Sequence, residues 1–146
     1  MISTEPNKDA INRYIDFFEN LTGDTLPELK NLVTTDVRFR DPFNDVVGAA
    51  RMQNVFTNML RDTEKPKFKI YRKVVDAQYC FIKWTFAAQS RVGPLQIDGV
   101  SEIVLDDSGR VKTHIDYWDT GETIYEKVPI IGPVLRFIRR RIGATS

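Results

Sequence analysis

The second half of the sequence alternates between apolar and polar residues over three long consecutive segments, at about 67–77, 79–91 and 94–105. A period of two is typical of β-strands, in which successive side chains point to opposite faces of the sheet. The run Asp-Asp-Ser-Gly at 106–109 predicts a hairpin turn into a last strand over 110–118. We therefore predict an antiparallel meander of four strands.

The first half of the chain has mostly helical spacing. Apolar residues recur every three or four positions over about 10–21 and again over 52–60. Between them, the run Thr-Leu-Pro-Glu at 25–28 predicts a capping box that opens a short helix. One strand is expected at about 36–41, followed by a polar loop over 42–48. Three helices and one strand before a meander make an α+β pattern. We predict a curved sheet with the first strand at one edge, wrapped by the three helices, and a cone-shaped cavity inside.

Composition limits the classes of function that the chain can have. Its 146 residues are 42% hydrophobic, which suits one domain with its own core, and a net charge of +1 gives no reason to expect nucleic-acid binding. The single cysteine, Cys80, excludes an internal disulfide and fits a reducing compartment. One histidine and one cysteine predict no metal site, and no cofactor is expected. We find no signal peptide and no membrane-spanning run, so a cytoplasmic protein is expected.

The last residues are predicted to be separate from the main domain. We place the domain at 1–128 and a C-terminal helical tail at 129–146, whose amphipathic helix begins near Pro133. The polar side of this helix is rich in arginine: Arg136, Arg139, Arg140 and Arg141. Two interpretations are open. The tail makes weak contact with an anionic membrane, or it packs on its own domain with its arginines in solvent.

The strand predicted at 36–41 ends on an unusual residue. Val37, Phe39 and Asp41 share one face of this strand, and Arg38 and Arg40 share the other. A carboxylate on an apolar face is costly unless it is paired, protonated or used. Tyr14 lies on the apolar face of the first predicted helix, and a buried aspartate facing a buried tyrosine suits proton transfer. Alternatively, Tyr14 is a core residue, and Asp41 bonds the amides of a local turn.

These motifs together resemble the ketosteroid isomerase branch of the NTF2-like (SnoaL-like) superfamily. The resemblance rests on the element order, on Arg-Tyr-Ile at 13–15, on Asp-Pro-Phe at 41–43, on a helix headed by Gly48 and on Tyr-Trp at 117–118, and it covers roughly residues 8–126. It implies an NTF2-like cone and a homodimer formed through the outer face of the sheet. The superfamily contains isomerases, hydratases, cyclases, epoxide hydrolases and non-enzymatic binders, so the activity stays open.

The resemblance also implies roles for individual residues. Tyr14 matches the donor to a developing enolate oxygen, and Asp41 matches the general base. Ser101 stands where the isomerases have a second acid, and its hydroxyl is a weaker donor. The cavity-facing tryptophan of the family falls on Trp118, which implies that His114 and Asp116, on the same strand face, line the cavity too.

His114 and Asp116 could act as a base with an orienting carboxylate, as in dehydratases and cyclases of the superfamily. The alternative is a polar, water-filled cavity mouth. Around them we predict a wall of substrate-binding residues, as in most small-molecule sites. These are Ser101, Trp118, Trp84, Phe86, Phe39 and Phe56. The alternative for the aromatic members is a filled core.

The favoured function is a small-molecule acid–base enzyme of the ketosteroid isomerase-like type. It would transfer protons, isomerise or dehydrate an apolar carbonyl or hydroxyl compound without a cofactor. Two alternatives belong to other classes: a non-catalytic binding module for an apolar ligand, and a peripheral membrane or scaffold protein that uses the tail. Fold similarity alone does not decide among them.

Overall fold

The structure is a computed structural model, and it describes residues 4–120. The predicted tail at 129–146, its arginines and the boundary at 128 lie outside the described residues. Within 4–120, no helix is both long and apolar enough to cross a membrane.

The N-terminal part forms three helices, as predicted from the spacing of its apolar residues. Helix α1 spans Thr4–Glu19, a 3₁₀ turn at Leu26–Glu28 leads directly into the short α2 at Leu29–Leu32, and α3 spans Ala49–Asp62. The predicted capping box is wrong, because the side chain of Thr25 makes no cap hydrogen bond. Its hydroxyl instead accepts the backbone N–H of Thr22 at 2.9 Å, which stabilises the turn before the helix.

The remaining elements form one six-stranded sheet. The strands are β1 (Val33–Arg40), β2 (Asp45–Val47), β3 (Glu64–Asp76), β4 (Tyr79–Ser90), β5 (Gly93–Leu105) and β6 (Val111–Tyr117). Their order is β2-β1-β6-β5-β4-β3, and the sheet is curved and open. The four strands from β3 to β6 pair as the predicted antiparallel meander.

The position of β1 differs from the prediction. It lies inside the sheet and pairs in parallel with β6, with Phe39 opposite His114, so the sheet is mixed rather than wholly antiparallel. The strand at this edge of the sheet is β2, which lies in the predicted loop and pairs with β1 through Arg38 and Val47. Strand β2 was not predicted because its three residues are too few to show the alternation of apolar and polar residues that identifies a strand. An exposed ion pair between Arg38 and Asp45, at 3.1 Å, joins the two strands of this small hairpin.

The inner face of the sheet carries the core, and the helices cover it. Alternate residues of β4 and β5 are buried there together with the apolar faces of α1 and α3. Strand β6 has a bulge, because Leu105 pairs with Val111 and Val104 pairs with Thr113. The extra residue lets both Val111 and His114 point inward. The bulge therefore places His114 on the same face as the core.

Candidate active site

The candidate site is centred on His114, whose side chain is buried in the described part of the chain. Its Nε2 lies 2.7 Å from Oδ1 of Asp116, two residues further along β6. Its Nδ1 lies 2.7 Å from the hydroxyl oxygen of Tyr14, which reaches across from α1. Helix packing thus joins residues that are a hundred positions apart in sequence, and both ring nitrogens of the histidine are bonded.

The neighbours of His114 determine where its protons lie. An ionised carboxylate only accepts, so Nε2 carries a proton and donates it to Asp116. In the neutral ring Nδ1 is then an acceptor, and the Tyr14 hydroxyl donates to it. Burial raises the pKa of Tyr14 well above its usual value, and the negative charge of Asp116 raises it further. Tyr14 therefore keeps the proton that this bond requires.

A second group of residues reaches Asp116 from the opposite side. Ser101 of β5 lies directly across from Asp116, and its hydroxyl donates a close hydrogen bond to the same Oδ1. The indole Nε1 of Trp84, on β4, donates to the Ser101 oxygen at 2.8 Å. We call Tyr14, His114, Asp116, Ser101 and Trp84 the Asp116 network.

All hydrogen bonds of this network point toward one carboxylate oxygen. Tyr14 donates to His114, Trp84 donates to Ser101, and His114 and Ser101 both donate to Oδ1 of Asp116. Charge-assisted bonds of this kind offset much of the cost of burying a carboxylate. Within residues 4–120 no hydrogen bond ends on Oδ2, and the Asp116 side chain is 14% exposed. Among the described residues, the network therefore engages Oδ1 and leaves Oδ2 without a hydrogen bond.

Asp116 lies between two spaces of very different size. The first, which we call the inner cavity, has a volume of about 20 Å³, which is room for about one water molecule. Its polar lining consists of Ser101, His114 and Asp116, and its apolar lining of Phe18, Phe56, Phe68, Ile70, Ile82 and Trp84. Most of the predicted cone-shaped cavity is therefore filled by side chains.

The second space, the outer cleft, has a volume of about 520 Å³. This lies within the roughly 300–1,000 Å³ of small-molecule sites. Its lining includes Asp41, Phe43, Asn44, Asp116, Tyr117 and Trp118. The rings of Phe43 and Trp118 meet edge to face at 5.5 Å. Asp116 lines both spaces. The alternation along the strands predicted one common cavity, and it gives no sign that the space is divided into an inner cavity and an outer cleft.

Asp41 contributes to the outer cleft and to a local turn. It follows the end of β1, and its Oδ1 accepts the backbone N–H groups of Phe43 and Asn44 at 2.8 and 2.7 Å. The side-chain amide of Asn44 donates to it as well. Burial raises the pKa of Asp41, these hydrogen bonds oppose the rise, and the charge of Asp116 adds slightly to it. The turn chemistry predicted as the alternative is therefore present, and Asp41 lines the outer cleft rather than the inner cavity.

The other predicted residues fall into separate places. Tyr14 lines neither the inner cavity nor the outer cleft, and its hydroxyl acts on His114. Phe39 also lines neither space, but its ring packs against the imidazole at 5.1 Å between centroids. Phe86 packs against Phe68 at 4.7 Å and is likewise absent from both linings. Phe56 and Trp84 line the inner cavity, as Trp118 lines the outer cleft.

Several residues of the site were not predicted. Phe18 lies one helical turn after Tyr14, so the helical spacing was a signal for it. Phe68 and Ile70 come from the edge strand β3, whose inward residues are only half-buried. Gly99 lies opposite Trp84 and had no signal in the sequence. In the part of the chain that the structure describes, no group of three or more His, Cys, Asp or Glu residues could hold a metal ion.

Comparisons with known proteins agree on the type of domain. A family model described as a SnoaL-like domain matches residues 13–114. No curated protein matches the sequence significantly. Among solved structures, the chain is similar to an NTF2-like protein of unknown function from Burkholderia pseudomallei, with a TM-score of 0.70 and 15% identity over 81% of this chain and 94% of that one.

Two further structures are similar at the same level. One is an LEH-like epoxide hydrolase from M. tuberculosis, with a TM-score of 0.67 and 17% identity over 91% of this chain and 96% of that one. The other, from Catenulispora acidiphila, has a ketosteroid isomerase-like fold and was solved with trimethylamine. It gives a TM-score of 0.66 and 9% identity over 77% of this chain and 87% of that one. Identities this low indicate the fold alone, and the predicted NTF2-like α+β fold is confirmed.

Proposed function

The chain belongs to the SnoaL-like domain family, and from this premise we propose that it is a small-molecule acid–base enzyme. The reaction would be a proton transfer, an isomerisation or a dehydration on an apolar carbonyl or hydroxyl compound. One observation carries the proposal: the Asp116 network holds one oxygen of a carboxylate through two chains of hydrogen bonds, and the same residue lines the outer cleft.

The substrate is proposed to bind in the outer cleft. The inner cavity has room for about one water molecule, whereas the cleft is large enough for a small organic compound. Phe43 and Trp118 offer aromatic surface to an apolar substrate. The related structures that are named as an epoxide hydrolase and as a trimethylamine complex support small-molecule recognition by this fold.

In the proposed mechanism, Asp116 is the base. Its Oδ2 removes a proton from the substrate, and the resulting carboxylic acid returns this proton to another carbon in an isomerisation, or to a departing hydroxyl in a dehydration. Ser101 and His114 fix the carboxylate so that little reorganisation is needed when the proton moves. Asp41, a second carboxyl group in the cleft, is proposed as the partner in proton transfer.

The test is the exchange of α-protons in D₂O, measured by NMR for a panel of small cyclic ketones. We expect wild-type protein to accelerate exchange for some of them, and Asp116→Asn to lose on the order of 100-fold or more of the rate. Asp98→Asn is the matched control, because Asp98 is exposed on the outer face of β5, and it should keep the wild-type rate.

Two results would contradict the proposal. Wild-type rates in Asp116→Asn would remove Asp116 as the base. The absence of exchange with every ketone in wild-type protein, combined with tight binding of an apolar ligand, would favour the alternative of a non-catalytic binding module.

We also propose that two copies associate through the outer face of the sheet. Large apolar residues are exposed there on neighbouring strands: Val74, Tyr79, Phe81, Val100 and Tyr117. Such a patch is typical of an interaction surface. Sedimentation velocity should give twice the chain mass of 16.9 kDa for wild type and the single mass for Phe81→Glu. Val47→Glu changes an exposed apolar residue of β2 and should leave the dimer intact. A wild-type protein that sediments as a monomer would exclude the proposed dimer.

A further inference from the structure

Trp84 occupies a place that only a glycine leaves open. Across the sheet, Trp84 of β4 pairs with Gly99 of β5, and the indole ring lies against the glycine. A Cβ atom added to Gly99 would come within 2.4 Å of the ring, which is far inside any normal contact. The φ angle of Gly99 is not in the left-handed region, so the glycine is needed here for space rather than for backbone freedom.

The position of the ring determines where the indole N–H points. With the ring against Gly99, Nε1 lies 2.8 Å from the hydroxyl oxygen of Ser101 and donates to it. Ser101 is two residues after Gly99, so both lie on the inner face of β5. The ring, the glycine and the serine therefore form one unit on two neighbouring strands.

The indole bond restricts the serine hydroxyl. A serine hydroxyl can rotate freely, and its proton follows the best available acceptor. Because Trp84 donates to one lone pair of Ser101, the serine proton is directed to its other close partner, the carboxylate of Asp116. A donor that is itself polarised by an incoming hydrogen bond is also a stronger donor.

We propose that Gly99 and Trp84 are positioning residues that direct the Ser101 hydroxyl onto the catalytic carboxylate. The inference rests on the proposed role of Asp116 as a base. Neither residue touches the reacting atoms: Gly99 provides the space for the ring, Trp84 orients Ser101, and Ser101 holds Oδ1.

The experiment compares Trp84→Phe, Gly99→Ala and the double variant. Trp84→Phe removes the donor and should slow α-proton exchange about tenfold, the effect of one buried hydrogen bond. Gly99→Ala should slow it at least as much, because its Cβ displaces the indole. In the double variant the smaller phenyl ring leaves room for the Cβ, so its rate should equal that of Trp84→Phe. Gly23→Ala is the control, because a Cβ there meets no atom within 4 Å, and it should keep the wild-type rate.

A second measurement does not depend on activity. The sequence has two tryptophans, so the ¹H–¹⁵N spectrum has two indole signals, and Trp84→Phe identifies one of them. In wild-type protein the Trp84 signal should be shifted downfield and protected from solvent exchange. Gly99→Ala and Ser101→Ala should both move it and reduce its protection, and Gly23→Ala should not.

The two readouts separate the possible failures. If no ketone is exchanged by wild-type protein but the indole signal behaves as described, the proposed function fails while the arrangement of Trp84, Gly99 and Ser101 stands without a catalytic role. An unchanged indole signal in Gly99→Ala would overturn the inference. So would a double variant whose fold-loss of rate is the product of the two single fold-losses, as expected for independent effects. If Gly99→Ala does not fold, the comparison of Trp84→Phe with the double variant still decides, because these two should be equal.

Discussion

The two spaces on either side of Asp116 are built in different ways. The inner cavity is lined by side chains of regular strands and helices, and their packing leaves room for about one water molecule. The outer cleft is bordered by the turn after β1 and by the last residues of β6, and carboxylate and amide groups line it beside aromatic rings. Asp116 thus belongs both to a buried hydrogen-bond network and to the lining of a more open cleft that a turn helps to form.

This difference separates two tasks that a general base must combine. Holding a buried carboxylate in one orientation requires donors whose own positions are fixed by packing, and Ser101 and His114 meet this requirement. Admitting a substrate requires space, which the inner cavity lacks. The comparison therefore predicts that changes on the inner side alter stability, whereas changes on the outer side alter binding.

The largest expected contrast is between two phenylalanines of equal size. Phe56 is 6% exposed and lines the inner cavity, whereas Phe43 is 48% exposed and lines the outer cleft. Phe56→Ala should lower the free energy of unfolding by about 4 kcal/mol, because it empties a packed site. Phe43→Ala should lower it by about 1 kcal/mol or less. Urea denaturation measures both values, and equal losses would contradict the comparison.

The next effect concerns the bond between Tyr14 and His114. Tyr14→Phe removes a buried hydrogen bond, so the free energy of unfolding should fall by about 1–2 kcal/mol at pH 7. The burial that raises the pKa of Tyr14 also makes wild-type stability depend on alkaline pH. Above about pH 10 the unfolded chain loses the tyrosine proton while the folded chain keeps it, so wild-type stability should fall as pH rises.

Tyr14→Phe removes this titration, and its stability should therefore fall less between pH 9 and about 11. The measurement is a series of urea denaturation curves for both proteins. Parallel pH profiles would show that the Tyr14 hydroxyl is not buried in the folded state.

A smaller effect is expected on ligand binding in the outer cleft. A planar phenolate places a negative charge close to Asp41 and Asp116. Asp41→Asn removes one of the two repelling charges, so phenolate affinity should rise about threefold to fivefold, as expected for roughly 1 kcal/mol between exposed charges. Tyr14→Phe should leave the affinity nearly unchanged, since Tyr14 lines neither space. Fluorescence titration distinguishes these results, and a large loss in Tyr14→Phe would place the ligand next to Tyr14 instead.

The smallest effect is a pH dependence of stability that Asp41 causes. Because burial raises the pKa of Asp41 in the folded state, its charged form is disfavoured there relative to the unfolded chain. This loss of stability is absent below the pKa of Asp41 in the unfolded chain, about 3.9. It is complete once the pH has risen above the pKa of Asp41 in the folded state. Asp41→Asn should therefore match wild type near pH 3 and be slightly more stable at pH 7. If the urea midpoint of Asp41→Asn does not rise relative to that of wild type between pH 3 and pH 7, the predicted direction of the effect is wrong.

Most of the fold could be predicted from the sequence, because it follows from regular periodicity. Counting every second residue back from Trp118 places Asp116 and His114 on one strand face. The bulge of β6 comes before His114, so it does not disturb this alternation. The helical spacing likewise placed Tyr14 on the buried face of α1. The strand β2 was missed because three residues show no period.

The remaining features of the site depend on tertiary packing. Asp41 follows the last residue of β1, where the backbone leaves the strand, so strand parity no longer determines the direction of its side chain. The contact between Tyr14 and His114 depends on how α1 packs on the sheet, and no local pattern encodes it. The size of the inner cavity depends on the summed volumes of side chains from several elements, which no periodicity reveals.

The central claim, that the protons of the Asp116 network are directed toward one carboxylate oxygen, can be tested on His114. It is the only histidine in the sequence, so its ring nitrogens are assigned without variants. Long-range ¹H–¹⁵N spectra, recorded at a pH where the ring is neutral, should show a single tautomer with the proton on Nε2 and a lone pair on Nδ1 that accepts from Tyr14. A proton on Nδ1, or the averaged signals of two rapidly exchanging tautomers, would contradict the account.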